Sequence, residues 1–400
     1  MNIAILGSDP ALLALVQLIA DSPDHHLTHF CEAEEIAPQL MQCAPGAVQL
    51  ASWEDLLQVT KLDIVIVAGT KEAVLTGAKQ LATADVSLML LPTAKQDSVF
   101  IYELSLIQDA NKVTLLPYLP LLDDPAIEQL RDEQKNIGNI LHLQWERSYN
   151  NRINESTTNK TTLLSQKDIE QALLHDVALL RNLWGDYNQI TAIYSGNENS
   201  ESKINRYSLA TVTLAGEQLP EVVWMLKPTS ANILWKLTIT GEKGTIVLEQ
   251  TTEGTPLLLR EETGKKIAQT ENKTFSAPSL HAILHPKEAI ITWGELIRTF
   301  ETVDATRQSI RRRRTIDLHF ETTSERNIFK TQMTAIGCCL LMVTLFLLVA
   351  VLFIGSLFHP PRLVMYFLRG AIFLPLFLFL GMQLFIFLTR PANKEHADKN

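Results

Sequence analysis

Cysteine is scarce in this chain, with 4 in 400 residues, at positions 31, 43, 338 and 339. They form no C-x-x-C pair and no Cys/His spacing of zinc type, so neither a disulfide framework nor a zinc module organises the fold, and a reducing compartment is implied. Positive charge is also short. Lys and Arg total 35 against 44 Asp and Glu, a net charge of −9, which is the wrong sign for a general nucleic-acid-binding surface. P-loop, G-x-S-x-G and H-E-x-x-H motifs are missing, and with them the chemistries those motifs carry. No internal repeat occurs. The apolar first 20 residues lack a basic start and are broken by Gly7-Ser8-Asp9-Pro10, so they read as strand, turn and helix rather than as a signal peptide.

What is present is an alternation of strand and helix patterns. Residues 2–6 form an apolar strand, and a helix follows over 11–20, with Asp9 suited to the N-cap and Pro10 to the first helical position. Strands are predicted at 26–31, ending at Glu32, and at 62–68, followed by Gly69-Thr70. A helix over 71–82, a strand at 86–91, a helix over 96–110 and a strand at 113–116 complete a doubly wound parallel sheet. Three prolines and two aspartates within 117–125 mark a boundary. Beyond it β patterns dominate, at 142–147, 190–194, 207–214, 221–226, 233–240 and 245–249, with one clear helix at 169–183. These predict a second, α+β domain with a large, mostly antiparallel open sheet, and the segments 154–161 and 195–203 read as exposed loops.

The tail differs in kind. Residues 333–358 and 370–389 carry no charge, and each run is long enough to cross a bilayer about 30 Å thick as a helix. His359-Pro360-Pro361-Arg362 separates them. Arg326 and Lys330 precede the pair, and Arg390, Lys394 and Lys399 follow it. This bias predicts a hairpin in the cell membrane with both termini and the main body on the cytoplasmic side. The expected division is 1–119, a Rossmann-like nucleotide-binding domain; 120–330, an α/β domain; 331–390, a transmembrane hairpin in the lipid bilayer; and 391–400, a cytoplasmic tail.

Several landmarks, in this order and spacing, resemble the Gfo/Idh/MocA oxidoreductases over about residues 1–325. Ile3-Ala4-Ile5-Leu6-Gly7 looks like that family's first strand and turn, and 63–68 like the strand ending beside the nicotinamide. Leu90-Leu91-Pro92 falls where the family has Glu-Lys-Pro. His175-Asp176-Val177-Ala178-Leu179-Leu180 with Trp184-Gly185 looks like its active-site helix, and 240–245 like a hairpin of its second domain. The resemblance implies NAD or NADP as cofactor and a sugar-like or polyol small molecule as substrate. It also implies a homodimer through the second-domain sheet. His175 takes the place of the catalytic histidine. Gly7, Glu32, Gly69 and Thr70 become the cofactor contacts, with Glu32 accepting from a ribose hydroxyl; as an isolated residue Glu32 reads equally as a loop carboxylate beside Glu34 and Glu35.

The same positions depart from the family where chemistry needs them. The G-x-G-x-x-G fingerprint reads Gly7, Asp9 and Leu12, which puts a carboxylate where an anionic pyrophosphate sits. Leu91 replaces the lysine, with Lys95 four residues on. Gln171 stands one helical turn before His175 where the family has aspartate, and Leu173 replaces a glycine. Two functions follow: a membrane-tethered NAD(P)-dependent oxidoreductase, or a catalytically inactive relative serving as a membrane-held binding, sensing or scaffold module. His281 and His285, four apart, have no third ligand, and no metal site is expected. Arg311 to Arg314 read as a solvated strand start or as a site for anionic lipid headgroups.

Overall fold

A computed structural model describes residues 1–150, 164–196, 206–229, 232–251, 257–260, 278–318, 342–349 and 351–353. The chain divides into two units, Met1–Phe320 and Glu321–Asn400.

The first unit opens with a six-stranded parallel sheet of β1 (Asn2–Gly7), β2 (His26–Cys31), β3 (Val48–Gln49), β4 (Ile64–Ala68), β5 (Ser87–Leu90) and β6 (Leu115–Pro117), in the order β3-β2-β1-β4-β5-β6. This is the doubly wound arrangement. Helices α1 (Leu12–Asp21) and α2 (Ala37–Cys43) cover one face, and α3 (Glu72–Thr83) and α4 (Ser98–Asn111) the other. The two-residue period of β1 explains the division: Ile3 and Ile5 join the core under α1, while Ala4 and Leu6 join the core on the opposite face. That second core is continuous with the next domain, where it takes in Trp145 and Trp224.

Past helix α5 (Pro125–Glu133), the second domain is an eight-stranded sheet. Its strands are β7 (Ile140–Asn150), β9 (Gln189–Ser195), β11 (Leu209–Ala215), β12 (Glu221–Thr229), β13 (Ile233–Gly241), β14 (Gly244–Thr251), β15 (Leu257–Arg260) and β16 (Ile316–Asp317). The order is β15-β14-β13-β7-β12-β11-β9-β16. Among the described strands of this sheet only β7 and β12 run parallel, so the expected mostly antiparallel sheet is present. A separate pair joins β8 (Leu164–Ser165) to β10 (Arg206–Tyr207). One face of the large sheet packs on α6 (Gln166–Trp184) and α8 (Trp293–Arg312), with α7 (Pro278–Leu284) nearer the first domain. Ser165 and Asp168 close a capping box at the start of α6. Its Leu173, Leu174, Val177 and Leu180 are fully buried, each contributing roughly 1.5–3 kcal/mol relative to exposure.

Three local expectations change. Helix α4 begins at Ser98, not near residue 96, because Asp97 caps it by accepting from Phe100 N–H at 2.8 Å. Asp9 does accept from Ala11 N–H at 2.9 Å, but residues 9–11 form a tight turn and α1 starts at Leu12. The 20-residue helix α8 has no counterpart in the hydrophobic pattern. Its buried face includes Thr299, Thr302 and Thr306, whose hydroxyls donate to the carbonyls of Glu295, Arg298 and Thr302. Hydroxyls satisfied within the helix can be buried without an apolar signal. Residues 311–314 are exposed and join the end of α8 to β16, so a strand does follow the basic run.

The membrane hairpin expected over 331–390 lies outside the described residues except for 342–349 and 351–353, which are helical. Among the described residues no helix is long and apolar enough to cross a membrane.

Candidate functional site

A cavity of about 640 Å³ opens at the C-terminal ends of β1, β4 and β5. It lies where the strand order reverses between β1 and β4, the crevice that open α/β sheets use for ligands. The first domain lines it with residues of the three loops that leave these strands. The second domain adds Arg147 from β7, and Gln171 and His175 from α6.

Two glycines let the first-domain loops approach each other. Gly7 has φ +93°, and a Cβ there would stand 1.8 Å from the Ala68 carbonyl oxygen. Gly69 has φ +101°, and its Cβ would lie 3.3 Å from the Ser8 oxygen. Both positions need glycine for backbone reasons before any ligand is considered. Gln96, fully buried, then ties the loops together: its Nε2 donates to the Gly69 carbonyl at 3.0 Å and its Oε1 accepts from Thr93 N–H at 3.1 Å. A lone glutamine before a helix carries no sequence signal of such a role.

Gly69, Thr70 and His175 line the cavity, whereas Gly7 and Glu32 do not. Gly7 shapes the turn beneath. Glu32, in the left-handed region at φ 53°, has its carboxylate 3.9 Å from the Lys71 ammonium, which also bonds Glu34. At the entrance to α1, Asp9 occupies Ala11 N–H and Pro10 has none to offer. Leu12, where the fingerprint has its third glycine, is fully buried and packs α1 on the sheet. Leu91 is buried in the cavity wall, and Lys95 is exposed at its edge.

Gln171 spans the two domains. Its Oε1 accepts from Ala94 N–H at 2.7 Å, and its Nε2 lies 2.8 Å from His175 Nε2. Because the oxygen is committed to a backbone donor, the amide NH₂ faces the imidazole, so His175 Nε2 is an acceptor and its proton sits on Nδ1. Burial, reinforced by the Arg147 charge, lowers His175 from its ordinary 6.5 to about 4. The imidazole is therefore neutral near pH 7, a weak base but a capable hydrogen-bond partner.

The group that sequence reasoning missed is Arg147. It sits in phase with buried Leu143 and Trp145 on β7, so its guanidinium emerges on the helix-covered face. Asp176, fully buried on α6, receives Nε at 2.8 Å and Nη2 as well, and takes a third bond from Trp224 Nε1 at 2.7 Å. Asp176 is thus an internal counter-charge, not an exposed one. The available signal was an arginine at an inward position of an otherwise apolar strand face. The rings of His281 and His285 lie tilted to each other with centroids 4.6 Å apart, and among the described residues no cluster of three metal-ligating side chains exists.

No family model and no curated protein sequence matches this chain. Solved structures do. A myo-inositol dehydrogenase from Corynebacterium glutamicum ATCC 13032 aligns with TM-score 0.62 at 15% identity, over 80% of this chain and 99% of that one. A putative NADPH-dependent oxidoreductase from Desulfitobacterium hafniense DCB-2 gives 0.65 at 14%, over 79% and 97%. The biliverdin reductase of Synechocystis sp. PCC 6803, solved with biliverdin and NADP+, gives 0.59 at 15%, over 77% and 98%. The class is that of the oxidoreductase fold with a Rossmann-like sheet and a second mixed sheet. At these identities the likeness is one of fold.

Proposed function

We propose that this chain is a nucleotide-binding protein of the Gfo/Idh/MocA oxidoreductase type, taking NAD or NADP together with a sugar or polyol-type molecule in its inter-domain cavity. The observation that carries this is the arrival of Gln171, His175 and Arg147 from the second domain at the switch-point crevice of the first. The NADP+ in the biliverdin reductase complex and the name of the Desulfitobacterium protein, a putative NADPH-dependent oxidoreductase, support the same ligand class.

The residues fit a dinucleotide better in charge than in backbone. Lys71, Lys95 and Lys167 border the cavity and complement phosphate, and the Thr93 hydroxyl is buried without a partner among the described residues. Asp9 and Pro10, by contrast, withdraw the N–H groups that a helix start lends to a pyrophosphate. Gly69, Thr70 and Lys71 would hold the dinucleotide, and Glu32 would accept from a ribose hydroxyl only by turning from Lys71 toward the cavity. When bound, such a group supplies or takes up a hydride. His175 is the chain's own candidate for the accompanying proton, and a substrate hydroxyl must displace the Gln171 amide to reach its Nε2. Calorimetric titration of the full-length chain with NADH and NADPH tests the reading. Saturable micromolar binding is expected, and no binding up to millimolar cofactor refutes it.

A second reading, binding without turnover, is favoured by two observations: Leu91 stands in the lysine position, and Gln171 occupies His175 Nε2. Dinucleotide binding with no oxidation across a sugar and polyol panel would select it. Two further parts of the proposal rest on the sequence and the sheet. The uncharged runs at 333–358 and 370–389 support a membrane hairpin with the main body cytoplasmic; labelling of an Arg362→Cys variant from the cytoplasmic side overturns that orientation. Ile193, Val223 and Met225 share the sheet face opposite α6 and support a homodimer there, which light scattering measures.

A further inference from the structure

We infer that Arg147 is a specificity-determining residue that selects a small molecule bearing a carboxylate, so that the substrate class is a hydroxy or sugar acid rather than a neutral sugar. This deepens the proposed use of the cavity and rests on that reading. A guanidinium on the inward face of β7 requires a fully buried carboxylate, Asp176, which in turn takes the indole N–H of buried Trp224. A buried ion pair is weak as a stability device, and apolar replacements of similar size are often neutral or stabilising. What the arrangement does achieve is placement: Asp176 and Trp224 act as positioning residues that hold the guanidinium plane at the cavity.

The geometry also says which edge is offered. Asp176 takes Nε and one N–H of Nη2. The guanidinium has five donors in a rigid fork, so both protons of Nη1 and one of Nη2 are left, and one from each nitrogen lies along the end-on edge. Among the described residues no partner takes Nη1. That edge matches the two oxygens of a carboxylate. The Arg147–Asp176 pair carries no net charge, which suits a monoanion better than a doubly charged phosphate. The neighbouring His175 is neutral and Leu91 is apolar, so neither of these two cavity-lining groups competes with Arg147 for the anion.

The test is calorimetric titration of the full-length chain with two matched pairs of probes, glucuronate against glucose and lactate against 1,2-propanediol, each with and without saturating NADPH. At least one acid is expected to bind tenfold or more tightly than its neutral counterpart. Arg147→Lys, which keeps the charge but loses the fork, is expected to cut that preference below threefold. If Arg147→Lys does not fold, as judged by its circular-dichroism melt, the paired variant Arg147→Met/Asp176→Leu removes the fork with an apolar replacement and is expected to abolish the preference. Equal binding of acid and neutral probes overturns the inference. So does a preference that survives the loss of the fork, or competitive displacement of the acid by NADPH, which would assign the fork to phosphate. An acid preference without dinucleotide binding sinks only the proposed cofactor; dinucleotide binding without an acid preference sinks only this inference.

Discussion

Replacing Asp176 by asparagine changes a fully buried side chain by a single group and removes its charge. Two bonds from Arg147 and one from Trp224 converge on that carboxylate. An amide offers one oxygen where two were used, and its NH₂ meets a donor. The guanidinium is left without its counter-charge. Removing one partner of a buried pair costs about 3–5 kcal/mol. The Arg147 side chain keeps 26% of its surface accessible, so cavity water can solvate part of the orphaned charge and the lower end applies, about 3 kcal/mol. At about 2–4 °C per kcal/mol for a body of this size, the melting temperature should fall by roughly 6–12 °C. Thermal and urea unfolding followed by near-ultraviolet circular dichroism, which reports on Trp224 and Trp145, measures the loss. The Arg147→Met/Asp176→Leu pair should recover most of it, because no charge then remains to be solvated. A loss under about 1 kcal/mol for Asp176→Asn, or a pair variant worse than the single one, refutes the view of Asp176 as a buried counter-charge.

Other outcomes follow from single contacts. Burial and the Arg147 charge hold His175 near 4 against an ordinary 6.5, so the unfolded chain takes up a proton that the folded one refuses. Stability should therefore fall by at most ~3 kcal/mol as the pH drops from the unfolded to the folded pKa, and His175→Gln should flatten that slope in pH-dependent melts. Gly7→Ala places a Cβ 1.8 Å from the Ala68 oxygen at φ +93° and should cost more than about 3 kcal/mol, while Gly46→Ala, with nothing within 4 Å, should melt like the parent. If a dinucleotide binds, Asp9→Asn removes a like charge from the pyrophosphate region and should tighten NADPH by roughly tenfold in calorimetry; unchanged affinity would place the phosphates elsewhere.

Much of the architecture is legible in local pattern. The apolar runs at 2–6 and 62–68, the Asp-Pro turn and the β-branched strands of the second domain each state their own conformation, because a strand buried on both faces reads as a continuous apolar run, one buried on a single face alternates, and Asp-Pro favours a turn. Helix α8 escaped that logic, since three of its buried side chains are threonines that satisfy their hydroxyls inside the helix. The line between the candidate site and the core was also only half visible. His175 could be singled out by the resemblance of 175–180 to an active-site helix, and Gly7 and Gly69 by their turns. Yet Gly7 turned out to be required by the Ala68 carbonyl, and Glu32 faces Lys71 rather than the cavity.

By itself the sequence determined the alternating first domain, the sheet-rich second domain, the scarcity of cysteine and cationic charge, and the loss of the second and third glycines. Those are properties of composition and of neighbours along the chain. Only the tertiary structure decided what His175 and Arg147 are. Gln171 reaches Ala94, 77 residues away, and so fixes the imidazole as an acceptor. Asp176 reaches Arg147, 29 residues away, and holds its fork at the cavity. A protonation state and a donor direction depend on partners brought together across the fold, and no spacing along the chain records them.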